Sequence, residues 1–214
     1  AGTTGHRKLA DYLLGDPVVT PVEDQCYYTE NIAHLPDCYL PADSSGDLLA
    51  APPRTDAGLP ADGFVFCSFN NSYKFNPHVF DLWCRLLLGV PGSCLWLSQP
   101  GGSASGRLRH EAQTRGVDPV RLVFAPRVES RADHLSRLQL ADLALDPFPY
   151  NSHSSGIDVL WAGVPMVALL GDTFPGRVGA SLLRAVGLDD LIAGSPDAYY
   201  QLALDLARDP QRLG

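Results

Sequence analysis

From Gly63 onward, short apolar runs recur at intervals of roughly 25–30 residues, the length of a strand–helix–strand unit. They are Phe64–Phe69, Ser93–Leu97, Val120–Ala125, Leu143–Asp146 and Met166–Leu170. Each is largely apolar rather than alternating, as expected of a strand covered on both faces. Helical segments stand between them. Asn76-Pro77 is an N-cap followed by Pro at the first helical position, and that helix is predicted to run to about Leu88. Ser103–Arg115 ends at Gly116, and a short helix covers about Ala132 to Leu138. Another helix opens in the Ser/His cluster after Tyr150. Gly176–Val186 ends at Gly187, and Ser195-Pro196 starts a last helix to about Arg208. The pattern predicts an α/β fold, a doubly wound, Rossmann-like parallel sheet with helices on both faces. Upstream, a short helix is expected around Lys8 to Leu14, and residues 41–62, rich in Pro, Gly, Ser, Ala and Asp, read as an extended linker. The expected division is a connector and linker over 1–62 and the α/β domain over 63–214.

The 214 residues, 45% of them apolar, suffice for one sizeable core. A net charge of −8 argues against a nucleic-acid partner, which needs a basic face. The five cysteines are odd in number, widely spaced and lack a Cys-x-x-Cys pair, so a reducing cytoplasm is expected rather than disulfides or a zinc site. No apolar run reaches membrane-spanning length, and no signal peptide is visible. No Asp-x-Asp motif and no Cys/His cluster with metal-ligand spacing occurs, so no metal cofactor is expected.

In such sheets ligands bind beyond the C-terminal strand ends, so the loops there are the ones to question. After the first strand come Asn70-Asn71-Ser72-Tyr73-Lys74. Lys74 is either a solvated loop lysine or a point charge for a phosphate. Asn70-Asn71-Ser72 also matches the glycosylation pattern, which means little in a cytoplasmic protein. After the third strand, Arg131, His134 and Arg137 crowd a short helix, His134 and Arg137 on one face. That is either a charged surface helix or a platform for a base and ribose.

After the fourth strand lies Tyr150-Asn151-Ser152-His153-Ser154-Ser155-Gly156-Ile157-Asp158. A helix N-terminus there offers N–H groups and a favourable dipole to a phosphate, with His153, Ser154 and Ser155 as further donors. Ser155-x-x-Asp158 is alternatively a variant capping box. After the fifth strand, Gly171–Val178 has the glycine spacing of a phosphate loop but Arg177 and Val178 where Lys and a hydroxyl residue are required, which excludes that class.

These segments together resemble the C-terminal half of the catalytic region of O-GlcNAc transferases, inverting glycosyltransferases of the two-Rossmann (GT-B) type. The resemblance spans about Gly2 to Leu213. It is carried by Phe66–Lys74, by Gln139-Leu140-Ala141-Asp142 through Leu145-Asp146, and by the long block His153–Val167. It implies a donor site for UDP-GlcNAc, a protein or peptide acceptor and no metal. By resemblance, Lys74 contacts the diphosphate, and His153, Ser154 and Ser155 stand on a His-Thr-Thr phosphate motif. Asp158 binds the ribose, His134 and Arg137 pack about the uridine, Arg131 lies near the ribose, and Asn71 stands where the family has a glutamine near the sugar. The composition suggests a bacterial member. The family's first Rossmann half, with its acceptor-side histidines, and its TPR repeats have no counterpart in this sequence. Gly2-Thr3-Thr4-Gly5 would be the exit from that first half, and Arg212-Leu213-Gly214 would precede a closing helix. The chain is therefore expected to be a donor half whose general base lies elsewhere. The same scaffold could serve an asparagine glucosyltransferase, a fucosyltransferase or a non-catalytic nucleotide-binding module.

Overall fold

The computed structural model describes residues 5–6, 8–42, 48–209 and 212. Gly2–Thr4, part of the linker (43–47) and Leu213-Gly214 lie outside the described residues.

Six parallel strands form the main sheet: β3 (Val65–Ser68), β4 (Cys94–Ser98), β5 (Leu122–Ala125), β6 (Leu143–Leu145), β7 (Met166–Leu169) and β8 (Ile192–Ala193). Their spatial order is β5-β4-β3-β6-β7-β8. The chain thus builds outward from β3 in one direction, returns to lay β6 beside it, and builds outward in the other. Phe66 pairs in register with Leu143 at that junction. β3 and β6 thus flank the topological switch point of a doubly wound sheet, and in such folds the crevice beyond those strand ends is where ligands bind.

Helices cover both faces. α1 (Pro77–Gly89), α2 (Ala104–Thr114) and α6 (Pro196–Arg208) pack on one, where Trp83, Leu86, Ala112 and Tyr199 meet Phe66, Leu95 and Leu143. α3 (Arg131–Leu138), α4 (Ser154–Trp161) and α5 (Phe174–Ala185) lie on the other, where Leu135, Leu138, Val159 and Leu183 meet Val65, Trp96 and Met166. Strand neighbours such as Val65 and Phe66 therefore feed opposite cores, which is why the runs are apolar throughout. The helix starts follow the expected chemistry: Asn76 accepts from the Val79 N–H and Ser195 from the Ala198 N–H, each followed by Pro at the first helical position. Among the described residues no helix is long and apolar enough to cross a membrane.

The N-terminal segment departs from expectation. Lys8–Leu14 is not a helix; Tyr12–Gly15 forms a strand, β1, paired in parallel with β2 (Asn31–His34). A lone helix of two turns has little to sustain it, whereas cross-strand pairing satisfies the same backbone groups. The segment is fastened to α5. Val19 packs on Val178 and Leu182, and the buried Asp16 carboxylate accepts from the Val18, Val19 and Tyr39 N–H groups and the Ser181 hydroxyl.

The described part of 41–62 is not uniformly extended either. Arg54–Ala57 makes a 3-10 turn, Leu59 is buried, and Arg54 forms a two-oxygen contact with Asp142, both at 2.8 Å. Arg54 also donates to the Leu140 and Gly63 carbonyls, so this cation clasps the segment to the start of β6.

Candidate functional site

Two strand ends supply one side of the crevice. The β3 loop turns through a short 3-10 segment, Ser72–Lys74, which points Lys74 back toward β6. Its Nζ donates to the Asn151 carbonyl at 2.7 Å and to Asn70 Oδ1 at 3.1 Å. It also stands 4.3 Å from the centre of the Tyr150 ring. All three partners are neutral. Burial lowers the Lys74 pKa, and the field of Asp146 opposes that shift. The result is a half-buried ammonium whose charge no contacting carboxylate cancels.

Asp146, at the end of β6, is buried, and its Oδ1 accepts the Ser152 N–H at 2.6 Å. Its Oδ2 has no hydrogen-bond partner among the described residues. Desolvation pushes its pKa up to about 7, with Ser152 and Lys74 pulling the other way. Near neutrality this carboxyl is thus only part ionised. A Cβ on Gly179 would meet Asp146 Oδ2 well inside contact distance, so α5 can lie over this carboxyl only with glycine there.

α4 begins on this turn. His153 is its N-cap residue without a side-chain capping bond, so the Ser155-x-x-Asp158 capping box is not formed. As at any helix start, the first N–H groups, those of Ser154 and Ser155, have no carbonyl one turn earlier within the helix. The Ser154 side chain is exposed. Ser155 differs from the expected outward donor, because its hydroxyl donates inward to Asn70 Oδ1 at 3.0 Å. A serine has one O–H, so in this state Ser155 offers a ligand its backbone N–H and its oxygen lone pairs. Burial, and secondarily Lys74, lower the His153 pKa to about 4, which makes the imidazole neutral near pH 7. The Tyr39 hydroxyl lies 3.4 Å from His153 Nδ1. A proton donated by Tyr39 to Nδ1 puts the ring proton on Nε2, a buried atom with no partner among the described residues.

The other side of the crevice comes from α3 and α4. Asp158 Oδ1 lies 3.4 Å from an Arg131 nitrogen, and its Oδ2 lies 3.8 Å from His134 Nε2. Arg137 reaches His134 Nδ1 at 3.1 Å and the Pro126 carbonyl at 2.5 Å. Its guanidinium sits 5.1 Å from the Phe69 ring centre, and that ring meets His134 edge-on at 5.5 Å. Burial first, then Arg137, lowers the His134 pKa.

The structure therefore brings eight of the nine expected residues into two groups: Lys74, His153, Ser154 and Ser155, and Arg131, His134, Arg137 and Asp158. Asn71 is exposed at the β3 loop, outside both networks. Asn70, Asp146, Tyr150 and Tyr39 were not expected. Arg177, in the rejected phosphate-loop pattern, pairs with Asp24 at 2.6 Å. No three His, Cys, Asp or Glu side chains among the described residues converge as a metal site would require.

An open parallel sheet with its crevice at the β3/β6 switch point is the Rossmann-like architecture of one half of a GT-B glycosyltransferase. The profile of glycosyl transferase family 41 matches residues 42–214, and the chain belongs to that family. It is 39% identical over 219 residues to an Arabidopsis thaliana protein named "Probable UDP-N-acetylglucosamine--peptide N-acetylglucosaminyltransferase SEC". That match covers 99% of this chain and 22% of the relative. It is 38% identical over 160 residues to a UDP-N-acetylglucosamine--peptide N-acetylglucosaminyltransferase of Caenorhabditis elegans, covering 75% of this chain and 14% of that one. The chain thus spans less than a quarter of either relative. Among solved structures, a Thermobaculum terrenum O-GlcNAc transferase mutant superposes with a TM-score of 0.81 at 32% identity, over 95% of this chain and 38% of that one.

Proposed function

We propose that this chain is the donor half of a protein O-GlcNAc transferase, in which residues 63–214 bind UDP-GlcNAc and residues 1–62 connect to an acceptor half. One observation carries the reading most: the Lys74 ammonium, held only by neutral groups, is joined through Asn70 to the start of α4, which has no side-chain cap. That is a site for a dianionic group, and a diphosphate fits it.

In the reaction an acceptor Ser or Thr oxygen forms a bond to the anomeric carbon from the face opposite the diphosphate. The bond from that carbon to the β-phosphate oxygen breaks, and UDP takes its electron pair. The acceptor proton passes to a base or water outside this chain. Lys74, the Ser154 and Ser155 N–H groups and the Ser154 hydroxyl stabilise the charge that grows on the diphosphate, and no step needs a metal. His153, held neutral near pH 7, borders the phosphates. Asp158 accepts from the ribose hydroxyls with Arg131 beside it, His134 and Arg137 hold the uracil, and Asn71 borders the sugar. Orientation rather than chemistry is their contribution. Cysteines that are all free among the described residues suit a reducing cytoplasm.

Mass analysis of an acceptor peptide incubated with the full-length protein tests this. UDP-GlcNAc should add one N-acetylhexosamine, with EDTA present or absent, while UDP-glucose and GDP-fucose add nothing. A hexose or deoxyhexose adduct would reassign the donor, and loss of transfer with EDTA would contradict the metal-free mechanism.

A further inference from the structure

Asn70 follows β3 at the switch point and is 5% exposed. Its carboxamide spans the crevice. Oδ1 accepts from Lys74 Nζ at 3.1 Å and from the Ser155 hydroxyl at 3.0 Å. Nδ2 donates to Ser152 Oγ at 2.7 Å and, at the limit of bonding distance, to Ser68 Oγ at 3.5 Å. A carboxamide has two acceptor lone pairs and two N–H donors, so all four are engaged. Burial also removes Asn70 as a glycan acceptor, despite the Asn70-Asn71-Ser72 pattern.

Three of the four partners bear on the anion site. Lys74 supplies its charge, Ser155 opens α4, and Ser152 belongs to the turn that Asp146 pins through the Ser152 N–H. These groups come from two strand ends that meet only because β3 and β6 are neighbours. We propose that Asn70 is a positioning residue for the donor reaction: it holds the Lys74 ammonium and the start of α4 in mutual register before the diphosphate arrives. This rests on the donor reading above. The geometry makes Asn70 specific in two respects. Leucine has similar size and none of the four bonds. Aspartate loses the donor to Ser152 and places a carboxylate on Lys74, cancelling the charge that the diphosphate needs.

The test is a double-mutant cycle in the full-length protein, following kcat and the Kd for UDP in wild type, Asn70→Ala, Lys74→Ala and the double variant. Asn70→Ala should lower kcat about 10- to 100-fold, the range of effects from misplacing a group in a preorganised site. Because Asn70 serves to set Lys74 against the start of α4, its loss should cost less once Lys74 is gone, so the double variant should fall at least about threefold short of the product of the two single losses. Full multiplication of the two losses would show an independent structural role and overturn the inference. Should Asn70→Ala fail to fold, Asn70→Asp keeps the size. It should fold and bind UDP at least about tenfold more weakly, the worth of one charge-assisted bond. UDP affinity equal to wild type in a folded Asn70→Asp protein would overturn the inference as well. Wild-type protein that binds no UDP would refute the donor reading, and the inference with it. Wild-type binding with multiplicative losses refutes the inference alone.

Discussion

At one end of the crevice Lys74 is held by a carbonyl, a carboxamide and an aromatic ring; at the other, Asp158 lies between Arg131 and His134, with Arg137 behind. The first arrangement leaves a cation uncompensated. It is costly, as the lowered Lys74 pKa indicates, and the cost is recovered only when an anion arrives. The second arrangement sets the Asp158 carboxylate beside Arg131 and lays Arg137 against His134, the Pro126 carbonyl and the Phe69 ring, so what it offers is chiefly directional hydrogen bonding and flat surfaces. On the proposed reading, charge for a leaving group and directional contacts for a nucleoside come from separate sets of side chains, and substitutions should separate them.

The largest effect is expected at the charged end. Lys74→Ala should lower kcat by about 100- to 1000-fold, as removal of a group that stabilises transition-state charge does, with little change in thermal midpoint. A loss under fivefold in steady-state assays would break the contrast. Asp158→Ala comes next. It should weaken UDP and uridine alike by about tenfold or more, the worth of hydrogen bonds to a charged group, while kcat at saturation changes far less. Calorimetry with both ligands checks this.

The charged end should also show in the pH dependence of stability. Asp146 has a folded-state pKa raised to about 7, so its folded form binds more protons than the unfolded chain. Its contribution is present below the ordinary carboxylate range and is lost as pH rises toward 7. His153, lowered to about 4, works oppositely: its contribution is present above its ordinary value and is lost as pH falls toward 4. The two oppose each other across mildly acidic pH. Asp146→Asn keeps an acceptor for the Ser152 N–H and removes one of the two. The variant's stability relative to wild type, from urea unfolding, should therefore increase from pH 4 to 7. A flat difference would contradict a buried, proton-holding Asp146. The smallest effect is expected at Arg131, whose side chain is 41% exposed and whose contact with Asp158 is 3.4 Å. Arg131→Ala should change UDP affinity by no more than about fivefold, as exposed ion pairs contribute little.

Much of the sheet was legible because apolar runs buried on two faces and capped helix starts, such as Asn76-Pro77 and Ser195-Pro196, are local signals. β8 has only two residues, and β1, mostly exposed, lacks the run of buried apolar residues that marks β3; both exist through pairing with another segment. The charged residues of the site were legible by type and by their place after strands. Asn70 and Asp146 were not singled out, because an Asn in a loop and an Asp ending a strand are ordinary in sequence. Their role comes from burial and from the β3–β6 adjacency. Ser155 shows the converse: its residue type and helix-start position suggested an outward hydroxyl, and only Asn70, 85 residues away in sequence, turns that proton inward.

On the proposed reading, Lys74 and the start of α4 bind a diphosphate, while Asp158 serves the nucleoside. The most direct measurement is the ratio of UDP to uridine affinity in the full-length wild type, Lys74→Ala and Asp158→Ala. Lys74→Ala should cut the preference for UDP by about tenfold or more, and Asp158→Ala should leave it within about twofold while both affinities fall. An undiminished UDP preference in Lys74→Ala would contradict the claim.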